Sequence, residues 1–399
     1  MEIKKNNHIL RFIASFYLLL MGQQYVWLEG DLVSPVKVTA MCVSPLIIIF
    51  LVPRFSKAFV WGLVYLLWLF ASMYLRFDSP RLETLGYSAM FFCMYMMFYN
   101  LVYAGAFTKE YFQRLLKVAL WAYIIAIVIQ QVWSVAGGGE LPLINFHYVP
   151  PDSAMKVPGL SLEPSHSARI MGILFFGFLK TTEFINGEPV TLAYLFSKYR
   201  FLLLGFIYTM ISMFSGTAIF VLGLLSLYFM SKKQIFYTIP FFAIFMIWLF
   251  NTDYEPVQRM LVTSEAALTG DAQNVIEADH SAAARVAPFL NAFALDFGDS
   301  RTWLGYGTDV ALADGHLNEM HTVWTDRGVI TYFLGWGLVF SCAITEFLSI
   351  PTLIFIVAFG GTVSNIYYIW AFLMIFTVIS YFFYSEKVSA NNITNHKIT

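Results

Sequence analysis

Charge is what this sequence has least of. Asp, Glu, Lys and Arg together make up 12% of its 399 residues, where soluble chains carry about 25%. A chain this size with so few charges has no means of covering a water-facing exterior, so a soluble enzyme, a nucleic-acid binder and a disordered tail are all excluded. The net charge is −1, which leaves no global field to gather polyanions, although local clusters can still act. Cysteine is scarce too. Cys42, Cys93 and Cys342 lie far apart inside apolar runs; they form neither a CxxC pair nor a disulfide framework and read as small buried hydrophobes. What the chain does have is apolar surface: 59% hydrophobic residues and a mean hydropathy of +0.67. That excess must face lipid.

A bilayer-spanning helix needs about 20 apolar residues, fewer where a span is short or broken. Apolar runs fall near 10–28, 35–52, 58–75, 84–105, 116–135, 167–180, 201–213, 216–230, 235–250, 328–344, 349–361 and 363–384. The expectation is an all-α polytopic membrane protein, residues 1–399 forming one transmembrane domain of about twelve helices. The pair 201–213 and 216–230 is short enough to be a hairpin. Lys4 and Lys5 before the first run resemble a signal sequence, but Gln23, Gln24, Tyr25 and Trp27 offer no small-residue cleavage site, so this reads as an uncleaved span.

Basic residues orient the chain. With the N-terminus placed in the cytoplasm, one side collects fifteen of the twenty-four Lys and Arg in short loops, and the other collects nineteen of the twenty-five carboxylates and five of the seven histidines. Both termini are therefore expected in the cytoplasm. The chemistry belongs to the outer face, where two connections are long: 136–166 and 251–326, the latter carrying short surface helices. Transporters place their sites near the midplane, commonly between internal repeats; no repeat is visible here, and the polar residues lie in the outer loops.

The first loop ends in Pro158-Gly-Leu-Ser-Leu-Glu163-Pro-Ser-His166-Ser-Ala-Arg169. Pro158-Gly159 makes a turn, and Glu163 and Arg169 crowd the start of the next span, where charges must be paired or line a wet cavity. The plain structural alternative is a capped helix N-terminus. In the second loop, Val286, Phe289, Leu290 and Phe293 make one apolar face beginning at Arg285, as in a helix lying along the membrane surface. A glycine-punctuated turn, Asp299 to Asp309, follows, and then His316, Glu319, His321 and Asp326-Arg327-Gly328 lead into a span. Asp296-Phe-Gly298 matches a kinase triplet by letters alone, and Gly305-Tyr-Gly307 lacks the rest of a nucleotide fingerprint. His316 and His321 are five apart rather than four, so no metal site is expected. No serine sits in a nucleophile elbow. The loops offer guanidinium, imidazole and carboxylate groups.

Guanidinium forks suit phosphate, and Arg169, Arg285, Arg301 and Arg327 stand where a lipid-linked diphosphate would present its charge. If the diphosphate leaves, they stabilise charge that grows as the bond breaks. His321 is the natural base for an attacking hydroxyl, with Glu163 or His316 as substitutes. Aromatics such as Trp303 suit sugar stacking and equally suit an interfacial belt.

The run Trp303-Leu304-Gly305-Tyr306-Gly307, then His321, then Asp326-Arg327-Gly328-Val329-Ile330 opening a span, resembles the O-antigen ligase/polymerase superfamily. Arg285 occupies the position of the Arg that starts the loop helix in that superfamily. Pro158-Gly159-Leu-Ser-Leu-Glu163-Pro164-Ser165 resembles a stretch of Wzy-type polysaccharide repeat-unit polymerases. Thr322 stands where ligases usually have Asn, and Ser215-Gly216-Thr217-Ala218 lacks the Arg of the superfamily's hairpin.

The resemblance implies a GT-C-like glycosyltransferase of the bacterial inner membrane that uses no metal or other cofactor. It would polymerise undecaprenyl-pyrophosphate-linked oligosaccharides by inverting transfer into O-antigen, capsule or exopolysaccharide. Its partners would be that lipid-linked glycan, membrane lipid and a chain-length-regulating copolymerase, with no nucleic acid. His321, Glu163 and Arg285 would be catalytic, and Arg169, Arg285, Arg301 and Arg327 would hold pyrophosphate. His316 and Trp303 would contact glycan. Two readings stay open beside it: a ligase or protein O-oligosaccharyltransferase of the same superfamily, and a lipid-linked oligosaccharide flippase.

Overall fold

The structure is a computed structural model, described for residues 7–23, 34–50, 56–75, 82–138, 155–230, 255–270, 272–278, 295–305, 323–343 and 367–396. Among these residues there are helices and connecting turns and no strands. In chain order the helices are α1 (Asn7–Gly22), α2 (Pro35–Phe50), α3 (Lys57–Leu75), α4 (Leu82–Tyr103), α5 (Lys109–Val135), α6 (Pro164–Asn186), α7 (Leu192–Ser212) and α8 (Gly216–Tyr228). Then come α9 (Glu255–Leu268), α10 (Ala272–Ala278), α11 (Ser300–Leu304), α12 (Val323–Ala343) and α13 (Tyr367–His396).

Ten of the twelve apolar runs coincide with helices; the runs at 235–250 and 349–361 lie outside the described residues. Among the described residues three segments, Leu85–Tyr103, Lys109–Val135 and Ile369–Glu386, are long and apolar enough to cross a membrane, and several shorter helices are similarly apolar. On α5, Val118, Ile125 and Val132 repeat every seven residues and are 59%, 51% and 64% exposed. The opposite face, with Leu116, Tyr123 and Ile127, is buried. An exposed apolar stripe of that length on a packed bundle is a lipid-facing surface, and the chain is membrane-embedded.

The first helix spans Asn7–Gly22, and residues 24–28 of its expected run lie outside the described residues. The 201–213 and 216–230 pair is a helical hairpin. Helix α7 begins earlier than its run and kinks at Tyr199, and a turn at 213–215 leads into α8, which lies along α6. The interior is held by aromatic pairs and by close helix approaches. Phe175 stacks on Phe206 at 4.3 Å, and Phe176 on Phe376 at 5.8 Å. Gly172 and Gly177 of α6 admit Val221 and Ile375 so closely that an added Cβ would sit 2.6 and 2.8 Å from them. Small residues at such crossings are how apolar helices associate without water to drive them.

Side-chain contacts fix the direction of the helices. At one end the Arg11 guanidinium donates to the Ala106 carbonyl at 3.4 Å, Lys109 bonds the Phe184 carbonyl, and Lys109 pairs with Glu386. At the other end Tyr123 donates to the Gly22 carbonyl and Gln131 to Ser212. Helix α13 runs parallel to α4, with Phe91 on Trp370 and Tyr103 on Tyr381. Helix α12 runs antiparallel to α3, since Thr331 meets Trp68 and Gly337 meets Trp61. Gly62 of α3 stands level with Phe92 of α4. The seven steps from Leu75 to Leu82 reach at most about 25 Å, so α3 runs antiparallel to α4. The starts of α4, α6, α12 and α13 therefore share the end opposite Arg11, Lys109 and Glu386.

Candidate functional site

The turn before α6 is built into the bundle. Gly159 lies in the left-handed region (φ +66°) with its Cα against Ile127, a position where a side chain would be strained. The buried Gln130 side chain clamps it from both sides: its Nε2 donates to the Gly159 carbonyl at 2.9 Å, and its Oε1 accepts from the Gly159 amide at 2.7 Å. Ser167 donates to the Pro158 carbonyl. Next door, Gln131 Nε2 donates to Met155 O at 3.0 Å and Ser212 Oγ at 2.9 Å, while Tyr208 donates to its Oε1 at 3.0 Å. Two adjacent amides near the end of an apolar helix thus hold the loop and the α7 end together. The expected Pro158-Gly159 turn is present.

This turn delivers Glu163. Its backbone is extended (φ −136°, ψ 150°) and Pro164 opens the helix, so α6 starts three residues before the expected span start at 167. Proline favours that first position because its fixed φ is already helical and its missing N–H is not needed there. Glu163 is the N-cap residue, yet its side chain makes no capping hydrogen bond. The carboxylate instead accepts from Ser165 Oγ at 3.1 Å and lies 3.9 Å from His166 Nε2. It remains 61% exposed. Arg169 sits a turn and a half further along the same helix, half-buried. The structure therefore places Glu163, His166 and Arg169 on one helix start.

The second cluster surrounds the start of α12. Of the expected turn from Asp299 to Asp309, residues 306–309 lie outside the described residues, and the described part is one helical turn, α11, followed by Gly305 with φ +72°. Trp303 is half-exposed; its indole donates to Phe297 O at 2.9 Å, and the two rings lie 5.7 Å apart. Gly328 interrupts α12 with φ +74° and ψ 158°. An added Cβ there would stand 2.4 Å from both the Gly305 nitrogen and the Trp303 carbonyl oxygen. Trp68 Nε1 donates to Thr331 Oγ1 at 2.8 Å just beyond the break, fixing α12 to α3. Segments twenty-three residues apart are thus in backbone contact at the end of the bundle that also carries Glu163.

Arg301 lies in α11 and Arg327 in α12 by backbone, with side chains outside the described residues. Arg285, His316 and His321 lie outside the described residues, as do the proposed surface helix around 286–293 and about half of each long loop. Among the described residues no group of three His, Cys, Asp or Glu gathers as a metal site.

Sequence reasoning missed Gln130, Gln131 and Lys37 as positioning groups, and counted His166 only as part of the crowd at the helix start. Polar side chains inside apolar runs are the signal that was present. Lys37 is 3% exposed, and its ammonium donates to the Gln23 carbonyl at 2.5 Å. Comparison with protein-family models, with curated proteins and with solved structures finds no match for the chain.

Proposed function

We propose that this protein is a membrane glycosyltransferase that joins polyprenyl-diphosphate-linked oligosaccharide repeat units at the outer face of a bacterial inner membrane. The observation that carries the reading is the backbone contact of Gly328 with Leu304-Gly305. It ties together the two segments, Trp303–Gly307 and Asp326–Ile330, on which the resemblance to polysaccharide polymerases rests. It also anchors both ends of the stretch that contains His316 and His321.

In this reading the chain crosses the bilayer about twelve times in a GT-C-like arrangement, with both termini in the cytoplasm. The acceptor is a sugar hydroxyl on one lipid-linked unit. Its oxygen attacks the anomeric carbon of the donor glycan, the carbon–oxygen bond to diphosphate breaks, and the configuration inverts. His321 accepts the hydroxyl proton, with Glu163 the second candidate. Arg285, Arg169, Arg301 and Arg327 stabilise the charge growing on the leaving diphosphate, a role for which a planar fork with two charge-assisted hydrogen bonds is suited. Trp303 and His316 bind the glycan.

The test is the fate of a purified lipid-diphosphate repeat unit mixed with the full chain in detergent and chelator. A ladder of longer glycans with release of polyprenyl diphosphate is expected. Recovery of the unit unchanged, by a protein shown to be folded, rejects the reading.

A further inference from the structure

Helices α5 and α7 lie side by side and run the same way. Near their starts Gln113 Nε2 donates to the Tyr199 hydroxyl at 3.4 Å. Midway, an added Cβ on Gly205 would stand 3.2 Å from Ile124, and near their ends Gln131 Nε2 donates to Ser212 Oγ at 2.9 Å. Gln113, Ile124 and Gln131 thus mark the side of α5 that meets α7. Lys117, one turn after Gln113 and two turns before Ile124, falls on that side and is half-buried.

Three further cations stand at this level. Arg114 is exposed at the head of the lipid-facing stripe that continues through Val118, Ile125 and Val132. Lys198 and Arg200 flank Tyr199 and are exposed, with the Arg200 guanidinium 4.7 Å from the centre of the Phe201 ring. At 1.5 Å per residue Lys117 lies about 6 Å further along α5 than Gln113, so the four groups share roughly one helical turn of depth. Two other lysines at this end of the bundle have carboxylate partners: Lys109 pairs with Glu386, and Lys180 with Glu183. Among the described residues none of the four forms an ion pair, and Glu110, exposed one turn before Arg114, does not bridge to it. Beyond the charges the groove is apolar, with Ile125 and Val128 of α5 and Phe201 and Leu204 of α7 exposed.

We infer that this groove holds a phospholipid with two phosphates, of the diphosphatidylglycerol class. Its phosphates sit among Arg114, Lys117, Lys198 and Arg200, and its acyl chains lie along the apolar residues beyond. Cations at the edge of a hydrocarbon layer need a countercharge there, and a basic cluster between spanning helices obtains it from lipid phosphate. Four cations beside one carboxylate are matched more closely by two phosphate charges than by the single charge of phosphatidylglycerol, and a zwitterionic headgroup brings no net charge. The two guanidinium forks suit phosphate oxygens. The site lies at the opposite end of the bundle from Glu163 and does not depend on the glycosyltransferase reading.

The experiment uses the full chain, delipidated in detergent, and native mass spectrometry with added diphosphatidylglycerol, phosphatidylglycerol or phosphatidylethanolamine of the same acyl composition. Diphosphatidylglycerol is expected to bind at least tenfold more tightly than either of the others. Combining Arg114→Gln, Lys198→Gln and Arg200→Gln changes only exposed positions, where substitutions disturb the fold little. That variant should bind diphosphatidylglycerol at least tenfold more weakly, since each cation near anionic lipid contributes about fivefold. Combining Lys4→Gln, Lys5→Gln and Lys232→Gln removes the same charge elsewhere in the chain and should leave the affinity within twofold of the native value. Equal affinity of the native chain for diphosphatidylglycerol and phosphatidylglycerol overturns the inference without recourse to any variant. Equal losses in the two variants also overturn it, because they mark a charge effect of the whole chain rather than a site.

Discussion

Gly328 lies with its backbone against that of Gly305, close enough that a Cβ on Gly328 would stand 2.4 Å from the Gly305 nitrogen. Both residues have positive φ. The contact fixes where α12 begins relative to the Trp303 turn, and so fixes the two anchor points of the segment that includes His321.

Replacing these glycines should therefore hurt unequally. Gly328 combines a positive φ with an extended ψ, a region almost restricted to glycine and costing about 1–3 kcal/mol for other residues, and it also meets unyielding backbone. Gly305→Ala meets the penalty of a positive φ, about 1–2 kcal/mol. Thermal unfolding in detergent should place Gly328→Ala several degrees below Gly305→Ala. Equal melting temperatures contradict the packing.

Gln130 offers a similar test in the other cluster. Gln130→Leu strands the Gly159 N–H and C=O in a buried site, at about 1–3 kcal/mol for each unsatisfied group. Gln130→Glu keeps an acceptor for the amide and loses the donor to the carbonyl. Limited proteolysis between 155 and 163 should be fastest for Leu, intermediate for Glu and slowest for the native residue.

Glu163 separates chemistry from fold. Its carboxylate makes no capping bond and is largely exposed, so Glu163→Gln should change stability by no more than about 0.5 kcal/mol, as for other surface substitutions. If it acts on a proton or on an arginine, glycan polymerisation should fall at least tenfold in the same preparation. Full activity removes Glu163 from the mechanism.

His321→Ala and Arg285→Ala should abolish long glycan chains while leaving the amount of protein in the membrane unchanged. Arg285→Lys should also be impaired, because an ammonium does not reproduce the two parallel bonds of a guanidinium. Gel ladders of surface glycan read all three, and a normal ladder from the two alanine variants excludes the proposed chemistry.

Helix direction makes a further test available. Ser165 lies at the start of α6 and Glu188 just past its end. In a background lacking Cys42, Cys93 and Cys342, Ser165→Cys should react with an impermeant maleimide added to spheroplasts. Glu188→Cys should react only after lysis. Reaction of both from one side contradicts a spanning α6.

Much of the fold is written in composition along the chain. The apolar runs that became α2, α3 and α4 lie within two residues of their helices, because the preference of a segment for lipid is a sum over its own side chains. Helix α5, by contrast, begins seven residues before its run, and α6 ends six after. The Pro158-Gly159 turn was legible for the same reason: proline and glycine act on their own backbone. Boundaries blurred where local rules competed, as at Glu163, where Pro164 starts the helix earlier than the polar residues around it suggested, and at Ser300–Leu304, where one helical turn precedes the glycine.

Local sequence therefore decided which stretches are helical, which face lipid, and that charge is rationed to their ends. It had no power to pair Gln130 with Gly159, Lys37 with the Gln23 carbonyl, or Gly305 with Gly328. Each of those contacts joins different segments of the chain, and each depends on how whole helices cross and how far they slide along one another. Only the packed bundle sets that register, because close packing leaves a buried amide or a bare glycine backbone a single neighbour to meet.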